Sequence, residues 1–198
     1  MKLREIIKLS AIMLNLDDIL SSEELYNENY DVTNENTILT EGTNTDKSFN
    51  LLVRCFNLAY SEIATDYISL IDSQNIEVNG GEFNLSSLSN KFYKFIKLED
   101  KFGVEVKCNI FNNKLKCKDG KYNLIYCYVP EFCTLNDDVN DFNGKVLDRV
   151  FAYGINKEYC YICGMYDEAN SYKNKFEECL KACSEPKKNI VMPKRRWV

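Results

Sequence analysis

Apolar side chains recur at three- and four-residue steps over residues 2–16, at Leu3, Ile6, Ile7, Leu9, Ile12, Met13 and Leu16, which predicts an amphipathic helix. Asp17 reads as the cap of a short second helix running through Tyr26. Residues 27–45, NENYDVTNENTILTEGTNT, are polar and turn-prone and read as a long loop. Asp46 opens the next helix, in which Phe49, Leu52, Val53, Phe56, Ala59, Tyr60 and Ile63 form a second stripe at helical spacing.

After Asp66 the period shortens to two. Ile76 and Val78 alternate with polar residues ahead of an NGGE turn at Asn79–Glu82. Further β-rich runs follow at Phe92–Leu98, Val104–Phe111, Leu115–Cys117 and Tyr122–Val129, separated by EDKFG, FNNK and KDGK. Each separator reads as a hairpin turn, so this stretch is expected to be an antiparallel meander leaning on the helices. Pro130 ends it.

Helical spacing returns from Asn143, with Leu147, Val150, Phe151, Gly154 and Tyr161 on one face and Gly154 admitting a neighbouring helix closely. Gly164 ends that helix. A last one carries Ala169, Tyr172, Phe176, Cys179, Leu180 and Cys183, and Pro186 stops it. The predicted fold class is α+β: a helical bundle with an inserted antiparallel β-sheet domain and an extended C-terminal arm. Residues 1–66 and 142–185 make the bundle, 67–130 the β-sheet platform and 186–198 the arm. The helices flanking the insertion, 46–66 and 143–163, should pack on each other, because otherwise both apolar stripes lie bare.

Composition narrows the function classes. The chain has 198 residues, a formal net charge of −5 and no histidine. Ser-His-Asp and Cys-His nucleophilic sites, His-ligated zinc and facial-triad iron are therefore excluded within one chain. Neither GxxxxGK[ST] nor GxGxxG occurs. Acidic residues interrupt the apolar N-terminal stretch, so a signal peptide is not expected. No run approaches the ~20 apolar residues that span a bilayer. The expected location is the cytosol, or a particle assembled there.

Nine cysteines raise the question of a metal. Cys160 and Cys163 form CxxC, and Cys179 and Cys183 form CxxxC, which by spacing approximates a four-thiolate zinc site. If Gly164 turns the chain between antiparallel helices, the second pair lies roughly 20–25 Å along its helix from the turn, too far for one ion. Helical phase makes Cys179 and Cys183 part of a buried stripe instead. Cys108, Cys117 and Cys127 read as core fillers of strands. The adjacent carboxylates Asp137–Asp138 and Glu177–Glu178 read as solvated or capping groups. Neither a catalytic constellation nor a cofactor is expected.

Charge is spread unevenly. The first 46 residues are strongly acidic, whereas after Glu185 come Lys187, Lys188, Lys194, Arg195 and Arg196 with no acid. The end, MPKRRWV, also holds the only tryptophan, Trp197, just after Pro193. Pro186 and Pro193 bias residues 186–198 against helix, and the arm can extend roughly 40 Å. Trp197 is a candidate anchor for an apolar pocket, and Arg195 and Arg196 can each grip a carboxylate through two donors. The arm should stay extended and disordered until it binds.

Taken together, LLVRCFNLAYSEIATDYISLI, LSSLSNKFYKFIKL, KVLDRVFAYGINKEYCYICGMYDEANSYKNKFEECLKA and MPKRRW resemble the head–tail connector adaptors of tailed bacteriophages, the class that includes tail tubular protein A-like gatekeepers. The resemblance runs from about Asp46 onward and includes the leading helix; CGMYDEA and the terminal RRW match best. It implies a virion structural protein without catalysis, assembled in the host cytoplasm and placed in the neck of the particle. It implies a homo-oligomeric ring of twelve copies that docks on the portal protein through its C-terminal arm. The ring then lines the channel for genomic DNA, passed without sequence recognition, and offers a platform to tail or neck proteins; no membrane is involved. Two alternatives stand beside it: a neighbouring neck or tail-completion protein, and a cytosolic zinc- or nucleic-acid-binding regulatory protein.

Overall fold

A computed structural model describes residues 2–22, 25, 26, 44–140, 142 and 144–184 of the chain. The element order is α1 (Leu3–Met13), α2 (Asp17–Leu20), α3 (Asn44–Glu62) with a π-helical turn at Ile63–Tyr67, β1 (Leu70–Val78), β2 (Glu82–Asn84), β3 (Phe92–Glu99), β4 (Asn109–Phe111), β5 (Lys114–Lys116), β6 (Gly120–Tyr128), α4 (Asp148–Ile162) and α5 (Tyr166–Ser184). The fold is α+β, with the strands inserted between α3 and α4.

The helices close across the insertion. Phe56 and Tyr60 of α3 meet Phe151 of α4 with ring centroids 5.8 and 6.1 Å apart, and Phe142 completes the cluster at 5.7 Å from Tyr60. A Cβ built on Gly154 would stand 2.7 Å from the Ala59 Cβ and 2.9 Å from the Phe176 ring, so glycine is what lets α3 and α5 approach α4. The two flanking helices therefore pack directly, as their apolar stripes require. Leu3, Ile6 and Ile7 of α1 join the same core. The loop before α4 caps α1: Leu3 N–H donates to Asp137 O and Arg4 N–H to Leu135 O, both at 3.2 Å, which satisfies N–H groups a helix cannot satisfy itself.

Several boundaries differ from the sequence expectation. Leu16, not Asp17, holds the cap position of α2, which ends at Leu20 rather than Tyr26. Ser21 Oγ donates to Asp17 O at 2.8 Å and so competes with further helical turns. The loop at 27–45 lies almost wholly outside the described residues. α3 begins at Asn44 rather than Asp46, and α4 at Asp148 rather than Asn143. Leu147, assigned to the buried face, is instead the residue before the first turn of α4 and is 64 % exposed.

The meander is also corrected. The strands form two three-stranded antiparallel sheets, in the orders β1-β6-β3 and β2-β5-β4. Length matching explains this: β1 and β6 are each nine residues and pair end to end, Leu70 opposite Tyr128 through Val78 opposite Gly120. The three-residue strands find partners of their own length. Of the four expected hairpin turns, FNNK joins two paired strands, with Asn112 and Asn113 both at positive φ. In EDKFG, Asp100 Oδ1 accepts from the N–H groups of Phe102 and Val104, which closes the loop on itself. NGGE and KDGK are the crossings between sheets, tied together where Gly81 N–H donates to Asp119 Oδ1 at 2.6 Å.

The sheets share a second, smaller core of Ile76, Val78, Leu85, Leu88, Leu98, Leu115, Leu124 and Tyr126. Tyr128 packs against both cores, and Leu70 at the start of β1 is buried in the bundle core, so both join platform to bundle.

Candidate interaction surfaces

The residues assigned to partner binding, Lys187, Lys188, Pro193, Lys194, Arg195, Arg196 and Trp197, lie outside the described residues, beyond the end of α5 at Ser184. Among the exposed large apolar side chains of the described residues, two groups lie at turns. At the α4–α5 turn, Gly164 adopts φ +76°, and Ile162, Met165 and Tyr166 around it are exposed. On the platform Phe102 is 78 % exposed, and Val104 and Phe111 are also largely in solvent. The two-residue turn fixes the parity of β4: Ile110 shares a face with Leu115 and the core, so Phe111 points the other way. Asn112–Asn113 is the sequence signal for that parity, and the exposure of Phe111 is absent from the sequence expectation.

Phe111 shares its face with an ionic cluster. Glu82 bridges Lys114 and Lys116, each at 2.8 Å, and these two ammonium groups hold its carboxyl down at about 2. On β3 the Lys97–Glu99 pair, at 2.6 Å, keeps the lysine above its ordinary range. An open depression of about 430 Å³ lies at one end of the larger sheet, lined by Asn75, Glu77, Asp100, Lys101, Lys121 and Tyr122. Its mixed charges point to no single ligand chemistry.

The bundle's polar groups act structurally. Lys157, 7 % exposed at its side chain, is paired with Glu62 and with Glu158 at 2.9 Å and lies 4.8 Å from the centre of the Phe176 ring. Burial works to lower its pKa, and the two carboxylates more than offset that, leaving it raised. Arg4 reaches Leu25 O at 3.0 Å and Asn136 Oδ1 at 2.9 Å. Asp137 Oδ2 accepts from the N–H and hydroxyl of Thr134, and Glu177 lies 3.9 Å from both Lys173 and Lys181. These adjacent carboxylates serve a turn and a helix surface.

All nine cysteines are free thiols. The hairpin runs antiparallel, with Tyr161 Oη donating to Asn170 Oδ1 at 3.1 Å and the Tyr153 and Tyr172 rings 6.3 Å apart. Cys160 and Cys163 therefore sit beside the turn while Cys179 and Cys183 lie toward the start of α4. Among the described residues no three Cys, Asp or Glu side chains converge to hold a metal ion. Cys55 is fully buried, and desolvation pushes its thiol up to about 12. Of the strand cysteines, Cys127 is buried in β6, whereas Cys108 and Cys117 flank β4 and β5 and are only half-buried against the platform core. No helix among the described residues is long and apolar enough to cross a membrane. No protein-family model matches the chain, nor does any curated protein.

Proposed function

We propose that this chain is a non-catalytic virion protein, a ring-forming head–tail connector that joins the portal protein to tail or neck proteins. The observation that carries the reading is the division of the molecule. A bundle closed across its insertion presents apolar side chains at the α4–α5 turn and on the inserted platform, while the basic, tryptophan-bearing segment follows α5. Exposed apolar groups on separate parts of the molecule suit a protein that must hold unlike partners at once.

In this reading Lys187, Lys188, Pro193, Lys194, Arg195, Arg196 and Trp197 dock on the portal. The exposed apolar groups meet neighbouring copies and tail proteins. One arm binds weakly after its ordering cost, and a ring of arms on a matching ring gains through effective concentration. The net charge of −5 suits a channel through which DNA slides without sticking. Deleting Pro193–Val198 tests it: the truncated protein should be soluble and folded but fail to join DNA-filled heads. Normal attachment by the truncated protein places the hook elsewhere.

A further inference from the structure

The larger sheet has two edges that differ in kind. β3 is broken by register shifts between Phe92 and Lys94 and between Phe95 and Lys97, and it bears lysines at 94 and 97. Bulges and edge lysines discourage a further strand from pairing. β1 has neither device: its nine-residue register with β6 is unbroken, and Leu70–Val78 contains no Lys, Arg or Pro.

The β1 backbone is also turned outward. Val129 N–H of the β6 end donates to Lys91 O, so by alternation Ile125 faces β3 and Ser73 opposite it faces outward, where Ser73 N–H donates to the carboxylate of the preceding Asp72 at 2.7 Å. By the alternation of an antiparallel ladder, the N–H and C=O groups of Ile71, Asn75 and Glu77 face the same way. Apart from the ladder to β6, no backbone–backbone hydrogen bond among the described residues reaches β1; the 89–90 segment meets it only through side chains, Ser89 N–H donating to Gln74 Oε1 at 3.0 Å and Asn90 Nδ2 to Asp72 Oδ2 at 2.8 Å. Ile71 is 61 % exposed beside this edge.

We propose that the β1 edge receives residues 188–192 of a second copy, Lys-Asn-Ile-Val-Met, as an added strand. Ile190 and Val191 are β-branched, and Pro193, lacking an N–H, ends the strand immediately after them. Charge is complementary: Asp72 and Glu77 lie on β1 with Asp66 just before it, while residues 186–198 carry five cations and no acid. Length fits a closely placed neighbour: residues 188–192 cover about 17 Å of the roughly 30 Å edge, and residues 185–187 allow about 13 Å from Ser184 to the strand. Lys188 and Pro193 are then taken up by the neighbouring copy, and of the segment proposed above to dock on the portal Lys194–Trp197 remain beyond the strand.

Each copy then has one edge and one donor segment, a head-to-tail contact that closes into a ring or continues as a chain. This holds or fails whatever the assembly docks on, so it is separable from the portal reading. Full-length protein is followed by sedimentation and by amide hydrogen exchange over a concentration series, beside Val191→Pro and Ser73→Pro. Wild type should associate with concentration, and the amides of Ile71, Asn75 and Glu77 should become slower to exchange as it does. Both variants should weaken association by about tenfold or more, because proline removes a ladder donor on one side and obstructs the edge on the other. Val191 lies outside the described residues, and Val191→Pro decides the matter if Ser73→Pro misfolds. Three results overturn the proposal: a wild type that never associates, a Val191→Pro protein that associates normally, or protection of the β1 amides that is independent of concentration. The last would mean that each chain's own tail occupies its edge.

Discussion

The bundle and the platform are held together by different means. The bundle buries Phe49, Phe56, Phe142, Phe151 and Phe176 completely, and its one deeply buried ammonium, among the described residues, is paired twice. The platform buries mostly single aliphatic side chains and keeps its ion pairs in solvent. Its shape depends instead on local backbone chemistry: positive φ at Gly80, Gly81, Asn112 and Asn113, and the carboxylates of Asp100 and Asp119 accepting from loop N–H groups. Burial scales with the size of a core, so the bundle carries global stability while the platform is a smaller unit seated on it through Leu70 and Tyr128.

The largest test is therefore Phe151→Ala, which removes contacts to three rings and should cost about 3–5 kcal/mol, with helix and sheet signals lost in one transition. Leu115→Ala, in the platform, should cost nearer ~2 kcal/mol. It should also speed amide exchange of β2, β4 and β5 while α3 and α4 stay protected. Equal and global effects of the two substitutions would erase the distinction.

Gly154→Ala probes the tightest point of the bundle and should destabilise by about 1–3 kcal/mol, because a methyl group there meets Ala59 and Phe176. Adding Ala59→Gly should make the double variant less unstable than the two single effects summed. Strict additivity, read from urea midpoints, would mean that the helices separate to admit the methyl.

A smaller effect concerns the platform's thiols. Extending the β4–β5 register by one pair sets Cys108 opposite Cys117, and Cys117 N–H donates to Gly81 O, away from β4. This is a non-hydrogen-bonded pair, with Cα atoms about 4.5 Å apart, within reach of a disulfide. A small-molecule disulfide should exchange twice, releasing two thiols and linking Cys108 to Cys117, detectable by peptide mapping. In the bundle, Cys163 is exposed and should be alkylated early, whereas Cys55 should react only on unfolding. Early labelling of Cys55 would show a loosened bundle.

The least effect is electrostatic. Glu82 titrates from an ordinary 4.5 down to about 2 in the folded platform. Its contribution is complete above pH 4.5 and is lost as the pH falls toward 2. Because the group is in solvent the change is slight, seen as faster exchange in β2 and β5 at pH 2–4 and absent in Glu82→Gln. Loosening of the bundle over the same interval would point to a different carboxylate.

Most of the apolar stripes of α1, α3, α4 and α5, the glycines at 154 and 164 and the insertion of strands between helices were legible because a helix face is a local property of spacing; Ile12 and Leu147 are instead exposed, and Cys179 and Cys183, expected in a buried stripe, are only half-buried. Gly154 could be read as a close approach without knowing that Ala59 and Phe176 were the neighbours. The sheet order was not legible. Four turn-like sequences look alike along the chain, and which of them joins paired strands depends on the lengths of strands elsewhere. The candidate surfaces divide the same way: the basic tail stands out by composition, whereas an open β1 edge exists only once β6 has been taken up by β1 and β3 together.

Sequence by itself determined the α+β class, the helical faces and the exclusion of histidine chemistry, since each follows from residue type and period. Tertiary structure alone decided the two-sheet topology, the burial of Lys157 between Glu62, Glu158 and Phe176, and the contrast between the two sheet edges. These are relations between residues distant in the chain, and spacing along the sequence carries no information about which hydrogen-bonding partner, charge or ring will be brought alongside.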